Sequence, residues 1–89
     1  MRVHMKVRGR VQGVGYRYFV ARTAKSHSLT GWVKNCPDGD VEGEVQGDPK
    51  EIEDFLKRLE TGHGWARIDH VRSEKIAEKK NEGDFDIVI

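Results

Sequence analysis

The stretch LTGWVKNCPDGDVEGEVQGDPKEIEDFLKRLETG, Leu29 to Gly62, decides the fold because it places two strands, a turn and a helix in direct succession. Leu29 to Asn35 has strand-like composition, and Pro37 to Gly39 has the residue types of a tight turn. Val41 to Gln46 then alternates small apolar and polar residues, as in a strand with one buried face. The stretch therefore predicts a β-hairpin that is followed at once by a helix.

The helix after this hairpin has sequence signals at both of its ends. Asp48 is an N-cap acid, Pro49 stands at the first helical position, and Glu51 at the third position predicts a capping box. Gly62 lies just past the end, where a C-cap glycine belongs. Apolar residues recur between these signals at i, i+3, i+4 and i+7, namely Ile52, Phe55, Leu56 and Leu59. This spacing predicts an amphipathic helix that buries one face.

The residues on either side of this stretch add a strand and a helix before it and strands after it. Met1 to Gly9 alternates apolar and polar side chains, which predicts a strand. Apolar residues recur at helical spacing from about Tyr16 to His27, which predicts a helix. Ala66 to Ile76 has strand-like composition with broken alternation, so we expect a bulge there. Phe85 to Ile89 alternates again and predicts a short last strand.

The predicted order is strand, helix, strand, strand, helix, strand, with one further strand at the C-terminus. Crossovers between parallel strands are right-handed, so this split βαβ order predicts an α+β sandwich. We expect a mainly antiparallel sheet of four or five strands with both helices packed on one face. A chain of 89 residues supports one small core, which predicts a single domain over residues 1–89.

Composition and charge exclude several classes of protein. The 16 basic and 15 acidic side chains nearly cancel, so any attraction for a phosphate has to come from local geometry. The N-terminus lacks the apolar stretch of a secretory signal, and no run of about 20 apolar residues could cross a bilayer. Cys36 is the one cysteine and cannot form an internal disulfide, so we expect a reducing, cytoplasmic location. The four histidines have no metal-ligand spacing, and no metal site is expected.

The segment GRVQGVGYR, Gly9 to Arg17, joins the first strand to the first helix and fits neither common nucleotide-binding motif, GxxxxGK[ST] or GxGxxG. Gly13 and Gly15 nevertheless allow backbone conformations that direct several N–H groups into one concavity at a helix N-terminus, where an oxyanion would fit. Arg17 lies in the first helical turn, where a cation is disfavoured by roughly 0.3–1 kcal/mol unless an anion compensates. Residue types alone leave two readings equally open: an anion-binding loop, or a plain turn with a solvent-exposed arginine.

Two segments together resemble the signature sequences of the acylphosphatase family: GRVQGVGYRYFV, Gly9 to Val20, and GWVKNCPDGDVEGEVQG, Gly31 to Gly47. The resemblance extends over essentially the whole chain, including the strand and helix order. It implies a small ferredoxin-like sandwich that hydrolyses acyl phosphates to a carboxylate and inorganic phosphate, without a metal or cofactor. The implied substrate is a small-molecule acyl phosphate.

The resemblance also implies roles for residues of both segments. Arg17 is expected to bind the phosphate, and Asn35 to hold the attacking water. Tyr16 stands where phenylalanine is frequent in the family, and Cys36 follows the asparagine where other residues are common. The terminal carboxylate of Ile89 is a further candidate partner for Arg17. Backbone N–H groups of the loop are expected to surround the phosphate oxygens, and these belong to Gln12, Gly13, Val14, Gly15 and Tyr16.

Other functions fit the same order of strands and helices. An RNA-recognition module needs basic and aromatic residues on its third strand, whereas DGDVEGEVQG, Asp38 to Gly47, is acidic and has no aromatic residue, so no nucleic-acid partner is expected. A ligand-sensing or carrier domain would keep the anion pocket without turnover. Acylphosphatase-like domains inside larger carbamoyl-transfer proteins are a third alternative. The chain length favours a free-standing enzyme, which we expect to be a monomer without a membrane partner.

Overall fold

The computed structural model describes residues 1–89 and contains five strands and two helices. In chain order these elements are β1 (Arg2–Arg10), α1 (Tyr16–Ser26), β2 (Thr30–Asn35), β3 (Val41–Gln46), α2 (Pro49–Glu60), β4 (Arg67–Ile76) and β5 (Phe85–Val88). This is the predicted order, including the additional strand at the C-terminus.

The strands form one five-stranded sheet in the order β4-β1-β3-β2-β5. β1 pairs with β3 and β4, and β2 pairs with β3, in each case antiparallel. β5 lies parallel to β2 at the opposite edge of the sheet from β4, so residues 77–84 carry the chain from one edge to the other. The prediction of an α+β sandwich with a mainly antiparallel sheet is confirmed.

The hydrophobic core lies between the two helices and one face of the sheet. Ile52, Phe55 and Leu59 of α2 are completely buried, and their spacing is the one that predicted an amphipathic helix. Burial stabilises each of these side chains by roughly 1.5–3 kcal/mol relative to an exposed one. The strands contribute alternate residues to the same core, and the most buried of these are Met5, Val7, Val33, Val41 and Val45.

The ends of the helices agree with the sequence prediction except at one contact. The Asp48 carboxylate accepts hydrogen bonds from the backbone N–H groups of Lys50 and Glu51, which confirms it as the N-cap of α2. The predicted capping box is wrong, because the Glu51 carboxylate lies 2.9 Å from Nδ1 of His27 instead of turning back to the N-cap. His27 is the C-cap of α1, so this contact joins the end of one helix to the start of the other.

The expected bulge lies where β4 meets the end of β1. Arg8 pairs with His70 but Gly9 pairs with Ile68, which leaves Asp69 as the additional residue on β4. The bulge stands next to the point where the chain leaves β1 and enters the glycine loop, just before the candidate site.

Candidate active site

The loop between β1 and α1 is anchored through its side chains and is open on its other side. Val11 and Tyr16 are each 1% exposed, and Val14 packs against the core between them. Gly13 and Gly15 have φ angles of 73° and 78°, in the left-handed region that disfavours residues with a Cβ atom. A Cβ atom at either glycine would meet nothing within 4 Å. The glycines are therefore needed for backbone conformation, and the space around them is free.

The N-terminus of α1 has no cap from its own chain. Gly15 is the N-cap, no side chain accepts a hydrogen bond from the first turn, and that turn contains no acidic residue. The first N–H groups of a helix have no partner within the helix, and they carry partial positive charge. α2 differs, since Asp48 caps it. The uncapped end of α1 can accept an oxyanion that is supplied from outside the chain.

Arg17 lies in this first turn and is held by the strand at the sheet edge. Its Nη1 donates a hydrogen bond of 3.1 Å to the backbone carbonyl of Val88 in β5. No carboxylate lies within 4.0 Å of its guanidinium, whereas Lys25 of the same helix and Lys34 of β2 each have one. The carbonyl fixes one branch of the guanidinium and leaves the other donors free to bind two oxygens of a phosphate.

Asn35 is the last residue of β2 and carries an unusual polar atom. Its Oδ1 is buried and has no hydrogen-bond donor within the protein, and it is the one buried side-chain oxygen or nitrogen in this state. A buried acceptor without a donor costs about 1–3 kcal/mol, so such an atom usually serves a ligand or water. This amide can orient a water molecule, but a neutral carboxamide is too weak a base to remove the proton of that water.

Two contacts bring the predicted site residues to one corner of the molecule. The side-chain Nε2 of Gln12 donates to the carbonyl of Cys36, next to Asn35, at 2.7 Å and to the carbonyl of Asp40 at 2.9 Å. Val88, which holds Arg17, is paired with Lys34, the residue before Asn35. The glycine loop, the guanidinium and the asparagine therefore all lie where β2 ends and α1 begins.

Sequence reasoning missed the carbonyl of Val88 and the side-chain role of Gln12. The terminal carboxylate of Ile89 was a candidate partner of Arg17, and the hydrogen bond goes instead to the main-chain carbonyl of Val88, one residue earlier. A backbone carbonyl carries no signal in the sequence, since it depends on the parallel pairing of β5 with β2.

Cys36 and Tyr16, which depart from the usual family residues, are both buried. Burial raises the pKa of the Cys36 thiol, and the nearby Glu42 carboxylate raises that pKa further. A raised pKa keeps the thiol protonated and lowers its reactivity. Burial also raises the pKa of the Tyr16 hydroxyl, which donates a 3.0 Å hydrogen bond to the carbonyl of Leu59.

Other surface features lie apart from this corner. A cleft of about 480 Å³ beside the β2–β3 turn is lined by three arginines and three aspartates, and neither Arg17 nor Asn35 reaches it. No three His, Cys, Asp or Glu side chains are arranged to hold a metal ion. Neither helix is long and apolar enough to cross a membrane.

The fold and the site define a class: a small α+β sandwich of the βαββαβ type with a candidate anion-binding corner between α1 and β2. The family model for acylphosphatase matches residues 3–87. The chain belongs to the acylphosphatase family, whose members are hydrolases that act on acyl phosphates.

Individual relatives agree with this assignment. The acylphosphatase of Geobacillus kaustophilus is 46% identical over 87 residues, which cover 98% of this chain and 93% of that protein. The crystal structure of acylphosphatase from Bacillus subtilis superposes with a TM-score of 0.94 at 33% identity and covers 99% of this chain and 98% of that one. The chain is also similar to a segment of T. kodakarensis HypF, with a TM-score of 0.86 and 36% identity, which covers 100% of this chain but 12% of HypF.

Proposed function

We propose that this enzyme hydrolyses its acyl phosphate by direct attack of water on phosphorus, without a metal ion. The backbone N–H groups from Gln12 to Tyr16 hold the phosphate oxygens, the Arg17 guanidinium binds two of them, and Asn35 orients the water on the opposite side from the leaving group. The transition state of phosphoryl transfer is loose and carries its charge on the three equatorial oxygens. Fixed amide dipoles and a guanidinium stabilise that charge through their position alone.

The leaving group explains why so few residues are sufficient. A carboxylate departs as the conjugate base of an acid whose pKa is roughly 4, so it needs no proton from the enzyme at neutral pH. Asn35 cannot remove the proton of the water, which therefore passes to the phosphate or to solvent. A rate profile governed by an enzyme group with a pKa near neutrality would contradict this mechanism.

The observation that carries the proposal is the buried Oδ1 of Asn35, which has no donor within the protein. Its cost to folding is difficult to explain unless a water or substrate hydrogen supplies the missing bond. The uncapped N-terminus of α1, with Arg17 in its first turn, supports the same reading from the phosphate side.

The test compares hydrolysis of benzoyl phosphate, with and without EDTA, by the wild type and by Arg17→Ala and Asn35→Ala. We expect EDTA to have no effect, and each substitution to lower kcat/KM by at least about 100-fold, since each removes a group that acts in the transition state. Arg22→Ala is the matched control, because Arg22 is an exposed arginine of the same helix without a carboxylate partner. Loss of activity with EDTA, or full activity in Asn35→Ala, would overturn the proposal.

We further propose that residues 1–89 act as one monomeric domain in the cytoplasm. The single cysteine, Cys36, which is a free and buried thiol, supports a reducing compartment. Sedimentation of the purified protein at micromolar concentration tests the monomer, which predicts a single species of 10.2 kDa.

A further inference from the structure

The phosphate loop and Asn35 stand on strands that are not neighbours in the sheet. The loop continues from β1 and Asn35 ends β2, while β3 lies between these two strands. Neighbouring strands are about 4.8 Å apart, so the two halves of the site are separated by about 10 Å of sheet. The backbone ladder between β1 and β3 ends at Val7 and Val41, and Val41 in turn pairs with Asn35, so the ladder reaches Asn35 but stops before the loop.

The side chain of Gln12 spans this gap. Its Nε2 carries two hydrogens, and one goes to the carbonyl of Cys36 at 2.7 Å while the other goes to the carbonyl of Asp40 at 2.9 Å. No other hydrogen bond joins residues 11–15 to residues 35–40. Beyond the last ladder pair, this one amide therefore ties the loop to the strand end and turn that carry Asn35.

The two carbonyls are already part of the turn that closes the β2–β3 hairpin. The Asp40 carbonyl accepts from the N–H of Cys36 at 2.8 Å, and the Cys36 carbonyl accepts from the N–H of Gly39 at 3.1 Å. Each carbonyl oxygen has a second lone pair, and Gln12 donates to both. Two acceptors leave one possible orientation of the amide, with its NH2 group toward the turn, so a carboxylate in its place would face two carbonyl oxygens.

We infer that Gln12 is a positioning residue whose side chain sets the alignment between the phosphate loop and Asn35. Its side chain contacts neither the substrate nor the reacting atoms. It acts by holding the phosphate loop and Asn35 in the relative position that places the oriented water in line with the phosphorus atom. The inference rests on the proposed roles of the loop and of Asn35. Because phosphate binding depends on the loop and Arg17, whereas in-line attack also depends on Asn35, loss of this link lowers kcat and leaves phosphate binding nearly unchanged.

The test measures kcat for benzoyl phosphate and the inhibition constant of inorganic phosphate for the wild type and Gln12→Ala. A displacement of about 1 Å between reacting groups costs about 100-fold in rate, so we expect kcat to fall about 10- to 100-fold. We expect the inhibition constant of phosphate to change less than about threefold, because the loop amides and Arg17 remain. An equal loss in kcat and in phosphate binding would instead mean that the loop itself collapses, and would overturn the inference.

Gln46→Ala is the matched control. Gln46 also uses its side-chain amide to hold a distant backbone, since it donates to the carbonyl of Lys79 at 3.0 Å and accepts from the N–H of Lys79 at 2.8 Å. Lys79 lies six residues before β5. The strand β5 is held in place independently, by the buried side chain of Phe85 and by its ladder with β2. We expect Gln46→Ala to lower stability without lowering kcat, so a similar fall in kcat in both variants would contradict a specific role of Gln12.

Gln12→Glu supplies a second readout that simple destabilisation would not produce. An ionised carboxylate facing two carbonyl oxygens is disfavoured, and its pKa rises accordingly, whereas a protonated carboxyl group can donate one hydrogen bond. We therefore expect the ratio of kcat in Gln12→Glu to kcat in the wild type to rise by at least about threefold when the pH is lowered from 8 to 5. A constant ratio would overturn the inference.

An inactive wild type would contradict the proposed function itself, while full kcat in Gln12→Ala beside an active wild type would contradict this inference alone.

Discussion

At the scale of the residue, three side chains or backbone positions at the same corner are unfavourable for stability: Asn35, Gly15 and Arg17. Asn35 buries an unpartnered oxygen, Gly15 leaves a helix N-terminus uncapped, and Arg17 places a cation at the positive end of that helix. Under the proposed function all three costs fall when substrate and water bind, because the anion would cap the helix and pair with the guanidinium, and the water would donate to Asn35. Sites that bind ligand often retain such locally unfavourable residues, so the three exceptions have one physical explanation.

A first prediction at the scale of the residue concerns the left-handed backbone of Gly15. Gly15→Ala places a Cβ atom on a residue with φ of 78°, and we expect the free energy of unfolding to fall by roughly 1–2 kcal/mol. The side chain itself meets no atom within 4 Å, so steric overlap contributes nothing to this cost. If the loop instead relaxes, its N–H groups turn away, and KM for benzoyl phosphate rises. Urea denaturation and steady-state kinetics measure the two effects.

Gly83→Ala is the control for this substitution. A Cβ atom at Gly83 also meets nothing within 4 Å, and the φ angle of Gly83 is not positive. We expect its stability to stay within about 0.5 kcal/mol of the wild type. Equal effects of the two substitutions would show that the conformation of Gly15 is not the cause.

At the scale of the element, Tyr16 connects the start of α1 to the end of α2. Its hydroxyl donates to the carbonyl of Leu59 at 3.0 Å, and its ring packs against Phe19 with a centroid separation of 5.6 Å. Because Tyr16 follows the glycine loop directly, this anchor fixes the N-terminus of α1 against the second helix. The hydroxyl group that distinguishes tyrosine from phenylalanine therefore makes a stabilising contact between α1 and α2.

We expect Tyr16→Phe to lower the free energy of unfolding by about 1 kcal/mol, the usual net value of one buried hydrogen bond. The Leu59 carbonyl retains a donor, the N–H of Gly62 at 3.3 Å, which limits the cost. The activity should change less than about twofold, because the ring that positions the loop is unchanged. Thermal denaturation and the benzoyl phosphate assay measure both. Tyr18→Phe, at a 68% exposed position, is the control and should behave as the wild type.

The elements themselves could be predicted from the sequence because their signals are local. The period of two in β1 and β3, the N-cap at Asp48 and the glycine at position 62 all act within a few residues, and the observed bounds lie within one or two residues of the predicted ones. Arg17 and Asn35 were predicted as site residues from the motifs, whereas the contact of Arg17 with the Val88 carbonyl could not be predicted, because it depends on pairing between distant segments. The contact between Glu51 and His27 replaced a local capping box for the same reason.

At the scale of the whole molecule, the face of the sheet away from the helices is held by ion pairs across strands. Arg2 is 1% exposed, and its guanidinium bonds to the carboxylates of Glu44 and Glu82, each at 2.8 Å. His4 lies 2.8 Å from Glu42 one pair further along the same two strands. Glu82 belongs to the segment that crosses from β4 to β5, so Arg2 ties that segment to the sheet.

Glu82 makes the stability of the molecule depend on pH. Its hydrogen bonds with the Arg2 guanidinium hold the pKa of the Glu82 carboxyl below its usual value. Since this pKa is lower in the folded than in the unfolded chain, the pair stabilises fully above the unfolded value, about 4.3, and the effect disappears as the pH falls through the folded value. The Arg2 guanidinium stays charged throughout this range.

We therefore expect Glu82→Gln to lower the free energy of unfolding by about 2 kcal/mol at pH 7, since it leaves the buried Arg2 with one fewer carboxylate. The difference from the wild type should shrink progressively below pH 4.5 or so, where the wild-type carboxyl becomes protonated. Glu53→Gln is the control, because Glu53 is 57% exposed and pairs with Lys57 on the surface of α2, where solvent screens the interaction, so we expect almost no change in stability. Urea denaturation from pH 7 to pH 3 measures all three proteins. A constant difference between Glu82→Gln and the wild type across that range would mean that the carboxylate charge is not what Arg2 requires, and that packing of the 77–84 segment alone stabilises this end of the sheet.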